Sequence, residues 1–266
     1  MNELKALIFD VDGTLADTER NGHRPAFNKA FAEAGLNWHW SVELYGALLA
    51  VTGGKERIRH YIENYLPNFL APGDLSEFVA ELHRIKNAIY AEMVAGGEIP
   101  LRPGVRRLLL EAQRDGVRLA IATTTSMENI EALLEHSLEP DSVSWFDVIA
   151  AGDTVPAKKP APDIYHYTLR ALDLAAEECL AIEDSANGLR SALAAGIKTV
   201  VTVSDYTRNE RFAGAALVVD NLGEPGQDIT VISGDANGAT MIDIAALRWV
   251  HDANSPSSAG QARAAP

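Results

Sequence analysis

Two aspartates, Asp10 and Asp12, follow a short apolar run, Leu4-Lys5-Ala6-Leu7-Ile8-Phe9. A run of that length, rich in branched residues, reads as a buried strand. Side chains two apart on a strand point the same way, so extended backbone through Asp10 aims both carboxylates at one spot beyond the strand's C-terminal end. Gly13 then permits a sharp turn, and Thr14 adds a hydroxyl. Carboxylates this close repel unless one is protonated or a cation lies between them. Either state suits phosphoryl transfer, with one carboxylate as nucleophile and its neighbour moving a proton. The plainer alternative is an Asp-rich turn that caps the next helix.

Three later stretches bear on that choice. Ile121-Ala122-Thr123-Thr124-Thr125-Ser126 places hydroxyls where a strand passes into a helix, a setting that suits a phosphate or simple N-capping. In Lys158-Lys159-Pro160-Ala161-Pro162-Asp163 a lysine beside a rigid proline segment would fix a positive charge near an anion. Surface lysine pairs are more often only solvated. Ile182-Glu183-Asp184-Ser185 ends a strand in paired acids, hard oxygen ligands that suit Mg2+, although Asp184 or Ser185 would also serve as a helix cap.

The elements that must carry these residues follow from periodicity. Strands are expected at Leu4 to Phe9, Val117 to Thr123, Val148 to Ala151, Cys179 to Ile182, Lys198 to Val203 and Ala216 to Val219. Helical patterns alternate with them at Val105 to Arg114, Glu128 to His136, Pro162 to Leu172 and Asn187 to Ala195. Strands alternating with helices imply parallel strands in a doubly wound α/β core, with ligands beyond the C-terminal strand ends. From Asp17 to Pro100 the pattern is helical throughout, with helices expected at Arg24 to Gly35, after Ser41, from Lys55 to Tyr65 and from Ser76 to Ala95. The expected organisation is therefore a catalytic core of residues 1–16 and 101–222 and a helical cap of residues 17–100 inserted after the first strand. Two linkers, near Asp17–Asn21 and Gly96–Pro103, make the cap a hinged lid. Residues 223–253 form a C-terminal extension without an assigned place, and the Ser/Ala/Gly/Pro-rich 254–266 reads as a disordered tail.

The formal net charge of −14 argues against nucleic acid or an anionic membrane as partner. The expected class is a soluble cytoplasmic monomer. No segment reaches the ~18 apolar residues that span a bilayer, and residues 1–10 lack a signal-peptide layout. The one cysteine, Cys179, cannot form an internal disulfide and reads as a core hydrophobe in a reducing compartment. An acidic chain that binds phosphate must gather cations locally. Thr52-Gly53-Gly54-Lys55-Glu56-Arg57-Ile58-Arg59 does so, with Lys55 and Arg59 on one helical face near a helix N-terminus, placed for a second anionic group. The same pattern also describes a merely solvated basic face. His23 and Arg24, at the core–cap junction, are expected to hydrogen-bond a sugar or its far phosphate.

Asp10-Val11-Asp12-Gly13-Thr14-Leu15 resembles the DxDGT[LV] signature of the haloacid dehalogenase superfamily, and the three later stretches resemble its second, third and fourth motifs in the same order. The resemblance implies that Asp10 is a nucleophile forming an aspartyl phosphate and that Asp12 is the acid/base whose carbonyl also binds Mg2+. It makes Thr123 and the Thr124 backbone N–H phosphate contacts, Lys159 rather than Lys158 the fixed cation, and Asn129 a substrate contact. Asp184 becomes the second metal carboxylate, Glu183 its support, and Asp163 a brace for the helix it begins. TGGKERI, preceded by Trp38-His39-Trp40, resembles the CbbY-like branch, which includes phosphatases of carbon fixation that remove the 1-phosphate of xylulose-1,5-bisphosphate. Many members place a histidine twelve residues after the nucleophile. Here that position is Gly22, and His23 would take the role through a one-residue insertion. A phosphosugar mutase, a phosphoglycolate phosphatase and a catalytically silent phosphosugar-binding regulator stand as alternatives.

Overall fold

The structure is a computed structural model and describes residues 3–51, 53–152 and 154–253. Thr52, at the head of the basic stretch, and the tail 254–266 lie outside the described residues. The described residues form two compact units, 3–15, 102–124 and 144–253 in one and 16–101 and 125–143 in the other.

The first unit is built on a seven-stranded sheet of order β3-β2-β1-β4-β5-β6-β7. Its strands are β1 (Ala6–Phe9), β2 (Arg118–Ala122), β3 (Val148–Ala150), β4 (Cys179–Glu183), β5 (Lys198–Thr202), β6 (Leu217–Val219) and β7 (Val231–Gly234). Every pairing is parallel except β6 with β7. β1 lies between β2 and β4, with Phe9 opposite both Ile121 and Ile182. Strand order reverses at β1 and β4, the switch point where open α/β sheets bind ligands. The fold is the expected mostly parallel α/β class.

One face of the sheet buries Ala6, Ile8, Ala120 and Ala181 against Ile164, Tyr165 and Leu169 of a helix spanning Asp163–Leu172. These small and β-branched residues suit a sheet covered on both faces. Cys179 belongs to the same cluster, and burial pushes its thiol up to about 12, so it is inert filling. The segment without an assigned place, 223–253, supplies the antiparallel edge strand β7 and a closing helix, Ile244–Asp252. Lys198 Nζ caps that helix, donating to the carbonyls of His251 and Ala253 at 2.7 Å each.

The second unit is helical. In chain order its helices are α1 (Arg24–Glu33), α2 (Val42–Leu48), α3 (Gly54–Tyr65), α4 (Leu75–Ala95) and, beyond an intervening core segment, Met127–Ser137. Ser41 caps α2, accepting from Leu44 N at 3.2 Å. Asp74, not Ser76, caps α4, accepting from the amides of Ser76 and Glu77. The division differs from the expected one in one respect. Residues 125–143 group with the helical unit, so the chain passes between units four times, at 15/16, 101/102, 124/125 and 143/144, rather than through two linkers. The helix Met127–Ser137 has an apolar stripe of Ile130, Leu133 and Leu134 that local periodicity cannot assign to one layer or another. It packs on α4.

Candidate active site

The Asp10 amide donates to the Ile182 carbonyl at 3.0 Å, so β1 pairs with β4 one residue past Phe9. That brings Asp10 beside Glu183. Asp10, Glu183 and Asp184 each offer a carboxylate oxygen within 4.8 Å of the others, and all three are buried. Lys159 reaches them from the loop before the helix Asp163–Leu172, donating to Asp10 Oδ1 at 2.8 Å and Glu183 Oε1 at 2.5 Å. Its side chain is 7% exposed, whereas Lys158 is exposed.

Two glycines make room for this cluster. Gly13 has φ +88°, and a Cβ there would lie 2.1 Å from Asp184 Oδ2. A side chain at Gly188, in the first turn of the helix Ala186–Ala194, would lie 1.9 Å from Glu183 Oε2. Ser185 starts that helix as its N-cap, accepting from Gly188 N at 3.1 Å.

The electrostatics follow from three clustered buried acids, two of them paired with one lysine. Burial alone would lower the Lys159 value, but Asp10 and Glu183 outweigh it and hold the ammonium protonated. Burial and Asp10 push Glu183 up to about 7 despite the lysine. Asp184 is driven well above the usual carboxylate range by burial, then by Asp10 and Glu183; Ser204 and Arg102 act the other way. Glu183 Oε2 is buried without a hydrogen-bond partner. Buried oxygen ligands, excess negative charge and an orphaned carboxylate oxygen fit a hard divalent cation such as Mg2+.

Thr123 is fully buried at the end of β2, its amide bonded to the Ala150 carbonyl at 3.0 Å, and Thr124 is exposed. Asp12 is half-buried in the turn after β1, where the amides of Thr14 and Leu15 return to the Val11 carbonyl. Asp163 is the first residue of its helix, where a carboxylate complements the helix dipole.

Two side chains of this unit escaped the sequence reading. Arg102 is buried and donates to the carbonyls of Gly13, Thr202, Val203 and Asp220, tying the turn after β1 to the ends of β5 and β6. Tyr165 donates its hydroxyl to Glu183 Oε1 at 2.6 Å. An arginine before a Pro-Gly turn and a tyrosine on a helix carry no local mark of such partners.

The helical unit holds the other expected residues. His23 closes a stretch, Glu19–His23, wound one residue wide, with the Arg24 amide bonded to the Glu19 carbonyl. Such single π-turns are rare and occur frequently at functional sites. His23 Nδ1 faces Lys86 Nζ at 2.9 Å, and its ring stacks on Tyr90 with centroids 4.0 Å apart. Burial, then Lys86, Arg57 and His83, hold His23 well below its usual value. Arg24 donates to the Trp40 carbonyl at 3.3 Å. Lys55 is exposed in the first turn of α3, and Arg59 is half-buried and donates to Ser76 Oγ at 3.0 Å. Asn129 is half-buried on the helix Met127–Ser137, in the helical unit rather than with the threonines before it. Arg57, also missed, is buried between α2 and α3, donating to Tyr45 Oη at 2.9 Å and to the carbonyls of Leu48 and Val51.

Residues 4–196 match the haloacid dehalogenase-like hydrolases, and the chain belongs to that family. It is an enzyme of the phosphatase kind. The protein CbbY encoded on a plasmid of Cupriavidus necator is 49% identical over 250 residues, 93% of this chain and 97% of that one. A crystal structure of a CbbY mutant from Rhodobacter sphaeroides in complex with xylulose-1,5-bisphosphate is 47% identical, with TM-score 0.68, covering 84% of this chain and 96% of that one. A Thermotoga maritima structure described as a putative beta-phosphoglucomutase is 28% identical, with TM-score 0.66, covering 81% and 94%.

Proposed function

We propose that this protein is a Mg2+-dependent sugar-phosphate phosphatase that removes the 1-phosphate of xylulose-1,5-bisphosphate through an aspartyl phosphate on Asp10. One observation carries the reading: Lys159 bridges Asp10 and Glu183 inside a buried acidic cluster at the sheet's switch point. In this reading Asp10 attacks phosphorus in line with the leaving oxygen. Lys159, the Thr123 hydroxyl and the Thr124 amide steady the phosphoryl oxygens. Asp12 gives a proton to the leaving oxygen and then takes one from the water that hydrolyses the acyl phosphate. Asp10, Asp184 and the Asp12 carbonyl would hold Mg2+, with Glu183 in support. The ion, when bound, supplies charge neutralisation and alignment of the phosphate.

In the helical unit, Lys55 and Arg59 are assigned to the second phosphate, and His23, Arg24 and Asn129 to the sugar. The substrate assignment draws on the CbbY relatives, one of them crystallised with xylulose-1,5-bisphosphate. We place the enzyme in the cytoplasm as a monomer, with a role in carbon fixation. No helix among the described residues is long and apolar enough to cross a membrane.

The test is a panel of phosphosugars assayed for phosphate release with Mg2+ and with EDTA. Xylulose-1,5-bisphosphate should be turned over best, and EDTA should abolish turnover. Preference for hexose or pentose monophosphates, or EDTA-resistant turnover, overturns the reading. The mutase alternative, favoured by the likeness to the Thermotoga maritima structure, predicts isomerised sugar phosphate and dependence on a bisphosphate activator.

A further inference from the structure

One buried polar group beside the cluster has no part in that scheme. The Tyr165 ring is fully buried and packs with Ile8, Ile164 and Ala181. A phenylalanine would fill the same space without the cost of taking a hydroxyl out of water. The hydroxyl instead donates to Glu183 Oε1 at 2.6 Å, the same oxygen that accepts Lys159 Nζ at 2.5 Å. Glu183 Oε2 has no hydrogen-bond partner, and the carboxylate lies against Gly188, where a Cβ would collide with it. The carboxylate is thus held by two donors on one oxygen and by none on the other. Lys159 Nζ also lies 5.2 Å from the centre of the Tyr165 ring. The phenol therefore fixes which way the Glu183 carboxylate faces, and that carboxylate is one of the two acceptors that hold the ammonium at Asp10.

We propose that Tyr165 is a positioning residue: its hydroxyl orients Glu183 and, through Glu183, keeps the Lys159 ammonium on Asp10. The proposal rests on the assignment of Lys159 to phosphoryl stabilisation. A hydrogen bond to a charged group is shorter and stronger than a neutral one, and its loss is felt at the partner left behind.

The variant is Tyr165→Phe, which keeps the ring and removes one oxygen. Phosphate release from xylulose-1,5-bisphosphate should show kcat lower by about tenfold with KM within about twofold, as expected for an interaction used in the transition state rather than in binding. The protein should stay folded at the assay temperature, with at most the modest drop in melting temperature that loss of one buried hydrogen bond brings. A second measurement does not depend on turnover. In 15N-lysine-labelled protein, the buried Lys159 ammonium, identified by loss of its signal in Lys159→Met, should exchange its protons with water slowly, and faster in Tyr165→Phe. Unchanged kcat overturns the proposal, as does a kcat loss accompanied by an equal change in KM or by a variant that is unfolded at the assay temperature. Unchanged proton exchange overturns it too. If wild-type protein releases no phosphate from any sugar phosphate, the functional reading fails, and the exchange measurement still decides the role of Tyr165.

Discussion

Among the described residues the sheet unit buries three acids, Asp10, Glu183 and Asp184, beside the cations Lys159 and Arg102, whereas the helical unit buries the cations Arg57 and Lys86. In the sheet unit, Lys159 pairs with Asp10 and Glu183, Asp184 lies beside those two acids, and burial together with mutual repulsion drives Glu183 and Asp184 upward. In the helical unit, Arg57 and Lys86 are the buried charges, and with burial they drive His23 and His83 downward. Lys86 sits over the rings of Phe27 and Tyr90, at 5.2 and 4.8 Å, which offsets part of its desolvation. A net charge of −14 describes neither place.

The comparison is broken most severely at Asp10. Asp10→Asn should lower phosphate release by roughly a thousandfold or more, since it removes the proposed nucleophile. Folding should be intact, because the amide still accepts from Lys159 Nζ. Thermal unfolding and a phosphate-release assay read both, and substantial residual turnover would remove Asp10 from the mechanism.

The helical side is tested by Lys55→Ala. Lys55 is exposed, so stability should not change. KM for the bisphosphate should rise roughly tenfold or more, the cost of losing one charge-assisted contact, with a smaller rise for a sugar monophosphate. An equal change for both substrates would mean that Lys55 does not face the second phosphate.

The smallest effect expected is a pH dependence of stability. Near His23 stand Lys86, Arg57 and His83, and near His83 also Lys55 and Glu56, of which only Glu56 favours protonation. Both histidines titrate lower in the folded protein than in the unfolded chain. As pH falls through the ordinary histidine value, the unfolded chain takes up protons first, so stability present above that pH is lost on acidification. Denaturant unfolding of wild type and of a His23→Gln/His83→Gln variant at pH 7.5 and 5.5 should show a smaller acid loss in the variant. An equal loss would mean that burial and the cationic neighbours do not hold the histidines neutral in the folded protein.

Much of this could be read along the chain because it is local. β1 and β4 are apolar runs that end in acids, and hydrophobic period and length sufficed to place them. Asp10, Lys159, Glu183 and Asp184 each stand in a short string with its own chemistry, and the structure gathers all four. Asp74 and Ser76 show a limit of the same method, since both are good caps two residues apart and only backbone geometry selects Asp74. The helix Met127–Ser137 shows another. Its apolar stripe meets α4, a partner far away in sequence.

Residue types and their spacing determined which groups are present and which strand ends bear them, because strand period and capping are properties of a few neighbouring residues. Only the tertiary structure decided what each group meets. Arg102 spans about a hundred residues to the carbonyls of β5 and Val203. Tyr165 and Lys159 share one oxygen of Glu183, and Gly188 earns its place through that same carboxylate. Those contacts, and the charge states they impose, arise from burial between distant segments, and no local window of sequence contains both partners.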